Sequence, residues 1–144
     1  HCCSLTDVVH HDVDAKDFGY ERGQVPRMEV FLFPANERML SLGEKVCREV
    51  NPEIQVFRGR VTSGDQFISD KKVKDQITET FQGYCVEMEG AAIAQTAWLN
   101  KVPFLIARAI SDKADDSATV DYPVFERQAI DHCVKLTQNM MKYL

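Results

Sequence analysis

The sequence predicts one α/β domain, residues 1–144, with a largely parallel sheet that helices cover on both faces. Short β-rich runs alternate along the chain with segments of helical periodicity, which is typical of α/β folds. Residues 104–110 are almost wholly apolar, as expected of a parallel strand buried on both faces. Polar and acidic residues follow the predicted strands, at the sheet edge where α/β proteins bind ligands.

The first half of the chain predicts two strands and one helix. Residues 6–10 form the first strand, and a long loop punctuated by Gly and Pro follows at residues 11–26. Apolar residues recur at helical spacing from an Asn36 N-cap until the Asn-Pro pair at residues 51–52 ends the helix. Alternation after this helix predicts a second strand, which ends near Ser63.

The second half begins with a helix that Ser69 or Asp70 caps and Gly83 closes. A short β-rich run at residues 84–88 then gives way to a helix of small residues at 90–99, which can pack closely on a sheet. The last helix carries one apolar stripe that we expect to be core, namely Phe125, Ala129, Cys133, Leu136 and Met140.

Composition argues against several classes of protein. A chain of 144 residues that is 44% hydrophobic and 27% charged can bury a core, so we expect an ordered globular domain. Its net charge of -5, without blocks of like charge, argues against nucleic acid and against an anionic membrane as partners. The sequence shows no apolar run long enough for a bilayer and no signal peptide, so we expect a cytoplasmic protein.

Neither a disulfide framework nor a metal site is expected. The five cysteines are odd in number and lack C-x-x-C spacing, and we expect Cys47, Cys85 and Cys133 to be reduced core thiols. Two histidines and two aspartates near the start of the loop at residues 11–26 raise the question of a metal. Their spacing matches no familiar zinc or facial-triad pattern, so we expect none.

The aromatic residues of the same loop are more informative. Phe18 and Tyr20, followed by Pro26, stand in a segment without the periodicity of a core element. An aromatic loop outside the core often closes over a ligand or contacts a partner subunit. The residues alone leave the choice between these two roles open.

Acidic residues follow two of the predicted strands. Glu87 and Glu89 alternate along one strand, so both can face the same space beyond its carboxyl end. Asp112 follows the apolar strand one β-α-β step later, and right-handed crossovers bring such strand ends side by side or close. Arg108, inside that apolar strand, must meet a carboxylate or a ligand. In a purely structural alternative, Glu87 ends a strand and Glu89 favours a helix N-terminus.

Carboxyl groups in different surroundings can divide the work of breaking a glycosidic bond. One in a partly apolar pocket has a raised pKa and can donate a proton near neutrality. Another stays ionised, accepts hydrogen bonds from hydroxyl groups and stabilises an oxocarbenium-like cation by its negative charge. The residues by themselves indicate no more than this.

Four motifs, in order, resemble those of the bacterial 5'-methylthioadenosine/S-adenosylhomocysteine nucleosidases. They are the loop at residues 11–26, Ser-Gly-Asp-Gln-Phe-Ile at 63–68, Val-Glu-Met-Glu-Gly-Ala-Ala at 86–92 and Arg-Ala-Ile-Ser-Asp at 108–112. The resemblance covers essentially the whole chain. It implies a three-layer α/β/α sandwich with a mixed, largely parallel central sheet, as in nucleoside phosphorylases. Purine nucleoside phosphorylases share the Val-Glu-Met-Glu and Ser-Asp motifs.

The resemblance implies roles for residues around the base. Asp112 would be the catalytic general acid at N7 of adenine, with Ser111 holding its carboxylate. Phe67 would stack on the base, and the backbone of Ile68 would hydrogen-bond to its edge. Tyr122 would lie near the thioalkyl group.

Around the sugar, the resemblance implies that Glu89 grips the ribose hydroxyls through charge-assisted hydrogen bonds. Met88 would pack beneath the sugar, and Glu87 would lie beside it. Arg108 would lie near the group that activates the attacking water.

The same resemblance implies a homodimer, because Phe18, Tyr20 and Pro26 would reach into the neighbouring subunit's pocket. It implies hydrolysis of an N-glycosidic bond, without cofactor, to adenine and a thio-ribose. The family's N-terminal part, which carries the glutamate that activates water, has no counterpart here, so we expect weak or absent turnover. The alternatives are a phosphorylase that uses phosphate in place of water, a futalosine-type hydrolase, and a non-catalytic nucleoside-binding or structural fragment.

Overall fold

The computed structural model describes the backbone of residues 2–110 and 122–144 and the side chains of residues 6–110 and 123–144. Within these ranges the elements are, in order, β1 (Cys2–His10), β2 (Phe33–Pro34), α1 (Glu37–Val50), β3 (Val56–Ser63), α2 (Lys71–Phe81), β4 (Gly83–Glu87), α3 (Gly90–Leu99), β5 (Ala107–Ala109) and α4 (Tyr122–Met140). One turn of 3-10 helix, Lys16–Phe18, lies in the loop after β1. This alternation of strands and helices confirms the predicted α/β class.

The described strands form one five-stranded mixed sheet. Their order is β2-β1-β3-β4, with β3 parallel to both β1 and β4 and with β2 antiparallel to β1. β5 pairs antiparallel with residues 2–4, the first part of β1. No pattern in the sequence predicts β2, because a strand of two residues has no periodicity.

The prediction of a long parallel strand at residues 104–110 is wrong. Only Ala107–Ala109 form a strand, and that strand is antiparallel to β1. The carbonyl of Phe104 instead accepts a hydrogen bond from the backbone N–H of Asn36, at 2.9 Å, so this stretch binds the start of α1. β4 and β5 are also not neighbours, since β3 and β1 lie between them. Phe104, Leu105 and Ile106 are apolar because they pack against core clusters, not because they belong to the sheet.

Helices cover both faces of the sheet. Successive residues of a strand point to opposite faces of the sheet, so Val8 and Val9 of β1 pack into different core clusters. The cluster on the α3 face consists of Val8, Phe33, Val61, Ala91 and Ala94. The clusters under α2 and between α1 and α4 consist of Val9, Ile77 and Phe81, and of Val46, Cys47, Leu136 and Met140. The sheet with helices on each of its two faces makes three layers, which agrees with the predicted sandwich.

Local capping chemistry sets the ends of two helices. The side chain of Asn36 accepts a hydrogen bond from the N–H of Met39 at 3.0 Å, which confirms the predicted N-cap of α1. Of the two candidates for the start of α2, Asp70 is the N-cap. The helix ends at Phe81, and its C-cap, Gln82, has a left-handed backbone with φ of 55°. Gly83, predicted to close the helix, instead begins β4.

The stripe predicted on α4 is buried only toward its C-terminal end. Leu136 and Met140 are buried against α1, whereas Cys133 is exposed. The prediction that Cys133 is a core thiol is therefore wrong, and that for Cys47 is confirmed. Cys85 is half-buried.

α3 is the most apolar of the helices in the described ranges. Ala91 and Ala94 are fully buried, which places the helix close to the sheet as its small residues predict. Ile93 and Leu99 on its other side are exposed. Among the described residues, no helix is both long and apolar enough to cross a membrane.

Candidate active site

The candidate site lies where β3 and β4 end and α3 begins. Ser63 is the last residue of β3 and Glu87 the last of β4, and the two are paired in register. The N–H of Gly64 donates to the carbonyl of Glu87 at 3.1 Å, and the N–H of His11 donates to the carbonyl of Ser63 at 2.8 Å. These bonds join the ends of three adjacent strands, β1, β3 and β4, at one edge of the sheet.

Glu87 is the most highly bonded side chain of this site. Its carboxylate accepts the backbone N–H groups of Glu89, at 3.1 Å, and of Gly90, at 2.9 Å, and so caps the start of α3. It also accepts the hydroxyl proton of Ser63 and pairs with the guanidinium of Arg108. Only 10% of the Glu87 side chain is exposed. A carboxylate with this many donors is held in one position.

Arg108 joins the two acidic residues. One of its terminal nitrogens contacts the Glu87 carboxylate and lies 2.6 Å from an oxygen of Glu89. The expectation that Arg108 meets a carboxylate is thereby confirmed. Glu89 differs from Glu87 in its exposure, because 62% of its side chain is open to solvent. Of the two carboxylates, Glu89 is the one that an incoming ligand can reach.

The electrostatic surroundings keep Glu87 and Arg108 charged. Burial raises the pKa of Glu87, but the Ser63 hydroxyl, the amides of Glu89 and Gly90 and the charge of Arg108 outweigh it, and the net pKa is lowered. Burial lowers the pKa of Arg108, but the carboxylates of Glu89 and Glu87 outweigh it, and the net pKa is raised. A carboxyl group with a lowered pKa cannot donate a proton near neutrality. Glu87 is therefore unsuited to act as general acid.

A family model described as the phosphorylase superfamily matches residues 3–142. The chain belongs to the phosphorylase superfamily. It is 41% identical over 138 residues to the 5'-methylthioadenosine/S-adenosylhomocysteine nucleosidase of Bacillus velezensis, and 39% identical to that of Bacillus subtilis. Each of these alignments covers 95% of this chain and 59% of the relative. The chain thus spans about three fifths of the length of these curated relatives.

Solved structures of superfamily members have the same fold. The nucleosidase of Campylobacter jejuni superposes with a TM-score of 0.91 at 31% identity, over 99% of this chain and 61% of that one. A nucleosidase of Neisseria meningitidis in complex with methylthio-immucillin-A gives 0.87 at 33% identity, over 99% of this chain and 62% of that one. A futalosine hydrolase of Helicobacter pylori gives 0.85 at 29% identity, over 99% of this chain and 60% of that one. The predicted resemblance to this branch of the superfamily is confirmed.

The remaining predicted residues of this superfamily site lie in different environments. Phe67 is 85% exposed and therefore lies outside the core. Ile68 is half-buried and packs against the cluster under α2, while Met88 is 43% exposed. Ser111 and Asp112 lie outside the described residues, as does the side chain of Tyr122, whose backbone begins α4. The roles of these residues stay predictions.

The loop predicted to reach a neighbouring subunit has no regular structure beyond its turn of 3-10 helix. Phe18, at the end of that turn, is 83% exposed, and Pro26 is exposed. Tyr20 is half-buried, and its hydroxyl accepts a hydrogen bond from the N–H of Arg27 at 3.2 Å. Tyr20 therefore stabilises the conformation of the loop, whereas the side chain of Phe18 is mostly exposed to solvent.

Sequence reasoning missed the support that the residues before this loop give to the site. His11 is 4% exposed, and its ring lies so close to Gly64 that a Cβ at that glycine would be 2.4 Å from Nε2. Asp12 accepts a hydrogen bond from the N–H of Asp65 at 2.7 Å, and His10 lies 2.9 Å from the side-chain oxygen of Gln95. Asp12 thus binds the turn after β3 and His10 binds α3, whereas Nε2 of His11 is buried without a hydrogen-bond partner among the described residues. The His-His-Asp run was the available signal, but it indicated only polarity.

Proposed function

We propose that this chain provides the base- and ribose-binding part of a nucleosidase that hydrolyses the N-glycosidic bond of 5'-methylthioadenosine and S-adenosylhomocysteine. The products are adenine and a thio-ribose, and no cofactor takes part. The observation that carries this proposal is the Glu87-Arg108-Glu89 cluster at the start of α3, in a chain 41% identical to nucleosidases of that name. The complex of the Neisseria relative with a nucleoside analogue supports a small-molecule substrate.

The exposed carboxylate of Glu89 binds the ribose in this proposal. A carboxylate has only acceptor atoms, so it suits the hydroxyls of a sugar, and charge assistance strengthens such bonds. Arg108, 2.6 Å away, holds the carboxylate in place. The negative charge of the cluster also favours the positive charge that develops on the ribosyl ring as the bond breaks. Met88, next to Glu89 and partly exposed, packs beneath the sugar.

The leaving adenine needs a proton, which Glu87 cannot supply because its pKa is lowered. We assign this role to Asp112, with Ser111 orienting its carboxylate, on the resemblance of the Ser-Asp motif to that of the nucleosidases. Phe67, with most of its ring exposed, is available to stack on the base. The backbone of Ile68 binds the edge of the base, and Tyr122 contacts the thioalkyl group.

A homodimer in the cytoplasm is the assembly that we propose. Phe18, Tyr20 and Pro26 lie in a loop after β1, and the exposed ring of Phe18 is free to enter a neighbouring subunit. The net charge of -5 argues against nucleic acid as a partner.

A futalosine-type hydrolase is the second candidate, which the likeness to the futalosine hydrolase of Helicobacter pylori favours. Both reactions release a base by hydrolysis, so the same cluster serves either one. A phosphorylase, which uses phosphate in place of water, is the third.

The test measures adenine release from 5'-methylthioadenosine by this polypeptide, with and without phosphate, beside Asp112→Asn. Turnover that needs no phosphate and is lost in the variant supports a nucleosidase. Dependence of base release on phosphate indicates a phosphorylase. If the base is released faster from futalosine than from 5'-methylthioadenosine, the second candidate is indicated. Equilibrium binding of 5'-methylthioadenosine is measured in parallel. A chain that neither binds nor cleaves any of these nucleosides overturns the proposal.

A further inference from the structure

Ser63 lies at the meeting point of two strands and a helix. It is the last residue of β3, is 3% exposed, and is paired in register with Glu87 of β4. Its hydroxyl oxygen accepts the backbone N–H of Ala91, in the first turn of α3, at 2.8 Å. A hydroxyl has one proton, and the proton of Ser63 goes to the carboxylate of Glu87. Neither the resemblance nor composition assigns a role to this side chain.

The bond from Ser63 determines how the Glu87 carboxylate is oriented. One oxygen, Oε1, takes the Ser63 proton, and the N–H of Gly90 lies 2.9 Å from both oxygens. The other, Oε2, takes the N–H of Glu89 and the guanidinium of Arg108. Turning the carboxylate about its last torsion, away from this orientation, would lengthen bonds to both oxygens at once. Removing the Ser63 hydroxyl leaves Oε1 with fewer donors and loosens that torsion.

Arg108 transmits this orientation to Glu89. The same guanidinium nitrogen contacts Oε2 of Glu87 and Oε2 of Glu89. Glu89 is mostly exposed, and its side chain does not cap α3 although it occupies the N-cap position. An exposed glutamate without such a bond samples several rotamers, so its placement depends on Arg108.

We propose that Ser63 is a positioning residue for nucleoside binding, which fixes Glu87, through it Arg108, and through Arg108 the ribose-binding carboxylate of Glu89. The inference rests on the proposed function, since it concerns the ribose that Glu89 binds. Ser63 itself is buried and touches no substrate. Its effect is on how well the carboxylate is organised before the ligand arrives.

The test compares two losses of a buried hydroxyl in adjacent positions. Ser63→Ala removes the bond to Glu87. Thr62→Val is the matched control, because Thr62 is fully buried and its hydroxyl donates to the carbonyl of Cys85, at 2.9 Å, rather than to a carboxylate. Ser63→Thr keeps the hydroxyl and serves as the rescue variant. Affinity for 5'-methylthioadenosine and the midpoint of urea unfolding are measured for all three.

We expect both Ser63→Ala and Thr62→Val to unfold at lower urea concentration than the unsubstituted chain. Only Ser63→Ala should weaken nucleoside binding, by about tenfold, which corresponds to the loss of one hydrogen bond to a charged group. Ser63→Thr should bind within about threefold of the unsubstituted chain. Equal affinities of Ser63→Ala and Thr62→Val would overturn the inference.

A second measurement needs no ligand. Carboxyl carbon NMR of the unsubstituted chain and of both variants follows the titration of Glu87 directly. The pKa of Glu87 should rise in Ser63→Ala and stay unchanged in Thr62→Val, because only the first loses a donor to the carboxylate. An unchanged titration in Ser63→Ala would overturn the inference. If the unsubstituted chain binds no nucleoside, the proposed function fails, and this titration still decides whether Ser63 organises Glu87.

Discussion

Glu87 and Glu89 are two residues apart, yet their surroundings assign them different tasks. The Glu87 side chain is 10% exposed and has donors on both oxygens, whereas that of Glu89 is 62% exposed. Burial with full satisfaction makes Glu87 a structural anion that caps α3 and fixes Arg108. Arg108 contacts both carboxylates, so we expect both the stability and the candidate ligand site to depend on it.

Arg108→Gln tests this double dependence. The change leaves the buried Glu87 without its cation, and we expect a loss of about 1–2 kcal/mol in the free energy of unfolding. That is less than for a fully buried pair, because about one third of Arg108 is exposed. Nucleoside binding should weaken as well.

Arg58→Gln is the control for this prediction. Arg58 pairs with Glu37 and Glu44 on the surface of α1, so its substitution should lower the free energy of unfolding less and leave nucleoside binding unchanged. Urea unfolding and ligand titration measure both effects, and equal losses in the two variants would contradict the prediction.

His11 gives a prediction about pH. Burial lowers its pKa from the ordinary 6.5, and Asp12 offsets this only in part, so the folded protein favours the neutral ring. Above about pH 6.5 the His11 ring is neutral in both the folded and the unfolded chain. Its protonation then takes nothing from the free energy of unfolding. As the pH falls toward the folded pKa, the unfolded chain takes up the proton first, so stability is lost. Urea unfolding between pH 7.5 and 5.5 should show this loss, and His11→Gln should reduce its slope. A slope identical in His11→Gln would refute the assignment.

At the scale of the element, α2 offers a direct comparison of two neighbouring capping candidates. The carboxylate of Asp70 accepts the N–H groups of Lys72, at 2.8 Å, and Val73, at 3.1 Å. Asp70→Ala should therefore cost about 1 kcal/mol in the free energy of unfolding, the usual effect of losing an N-cap. Ser69→Ala is the matched control, one residue earlier and exposed, and should be nearly neutral. Thermal or urea unfolding measures both, and a larger effect at Ser69 would show that the cap is wrongly assigned.

The elements that sequence reasoning predicted best are those with local causes. α1 and α3 begin where the sequence predicts, because an Asn36 cap and a run of small residues act within one turn. β2 and β5 could not be predicted in the same way. Their pairing with β1 depends on residues far along the chain, and the apolar run before β5 looks the same whether it pairs or packs.

The candidate site was predictable to a similar extent. The prediction that Glu87 and Glu89 alternate along one strand is wrong, because β4 ends at Glu87 and Glu89 is the N-cap of α3. The two residues still lie at the same strand end, and the need to satisfy a half-buried guanidinium predicted that Arg108 meets a carboxylate. Which glutamate is buried could not be read from the strand. That depends on Ser63, which reaches Glu87 from β3, 24 positions earlier in the chain. Contacts between strands of this kind have no signature in either segment alone.

At the scale of the whole molecule, the exposed aromatic ring of Phe18 is the feature that a single chain does not explain. It is 83% exposed, and α3 adds the exposed side chains of Ile93 and Leu99. Exposed apolar side chains favour association, which agrees with the proposed homodimer. We expect light scattering to give the mass of two chains at micromolar concentration.

Phe18→Ser separates a role in a neighbouring subunit from a role in folding. The ring contributes little buried area within its own chain, so the free energy of unfolding should change by less than about 0.5 kcal/mol. If the ring completes a partner's pocket, affinity for 5'-methylthioadenosine should fall several-fold. Tyr143→Ser removes another aromatic ring, 52% exposed at the far end of the chain, and should leave affinity unchanged.

The two variants are compared at protein concentrations above and below the dissociation constant of the dimer. Only the assembled form should show the loss, and equal affinity of Phe18→Ser and the unsubstituted chain in that form would place the loop outside the pocket.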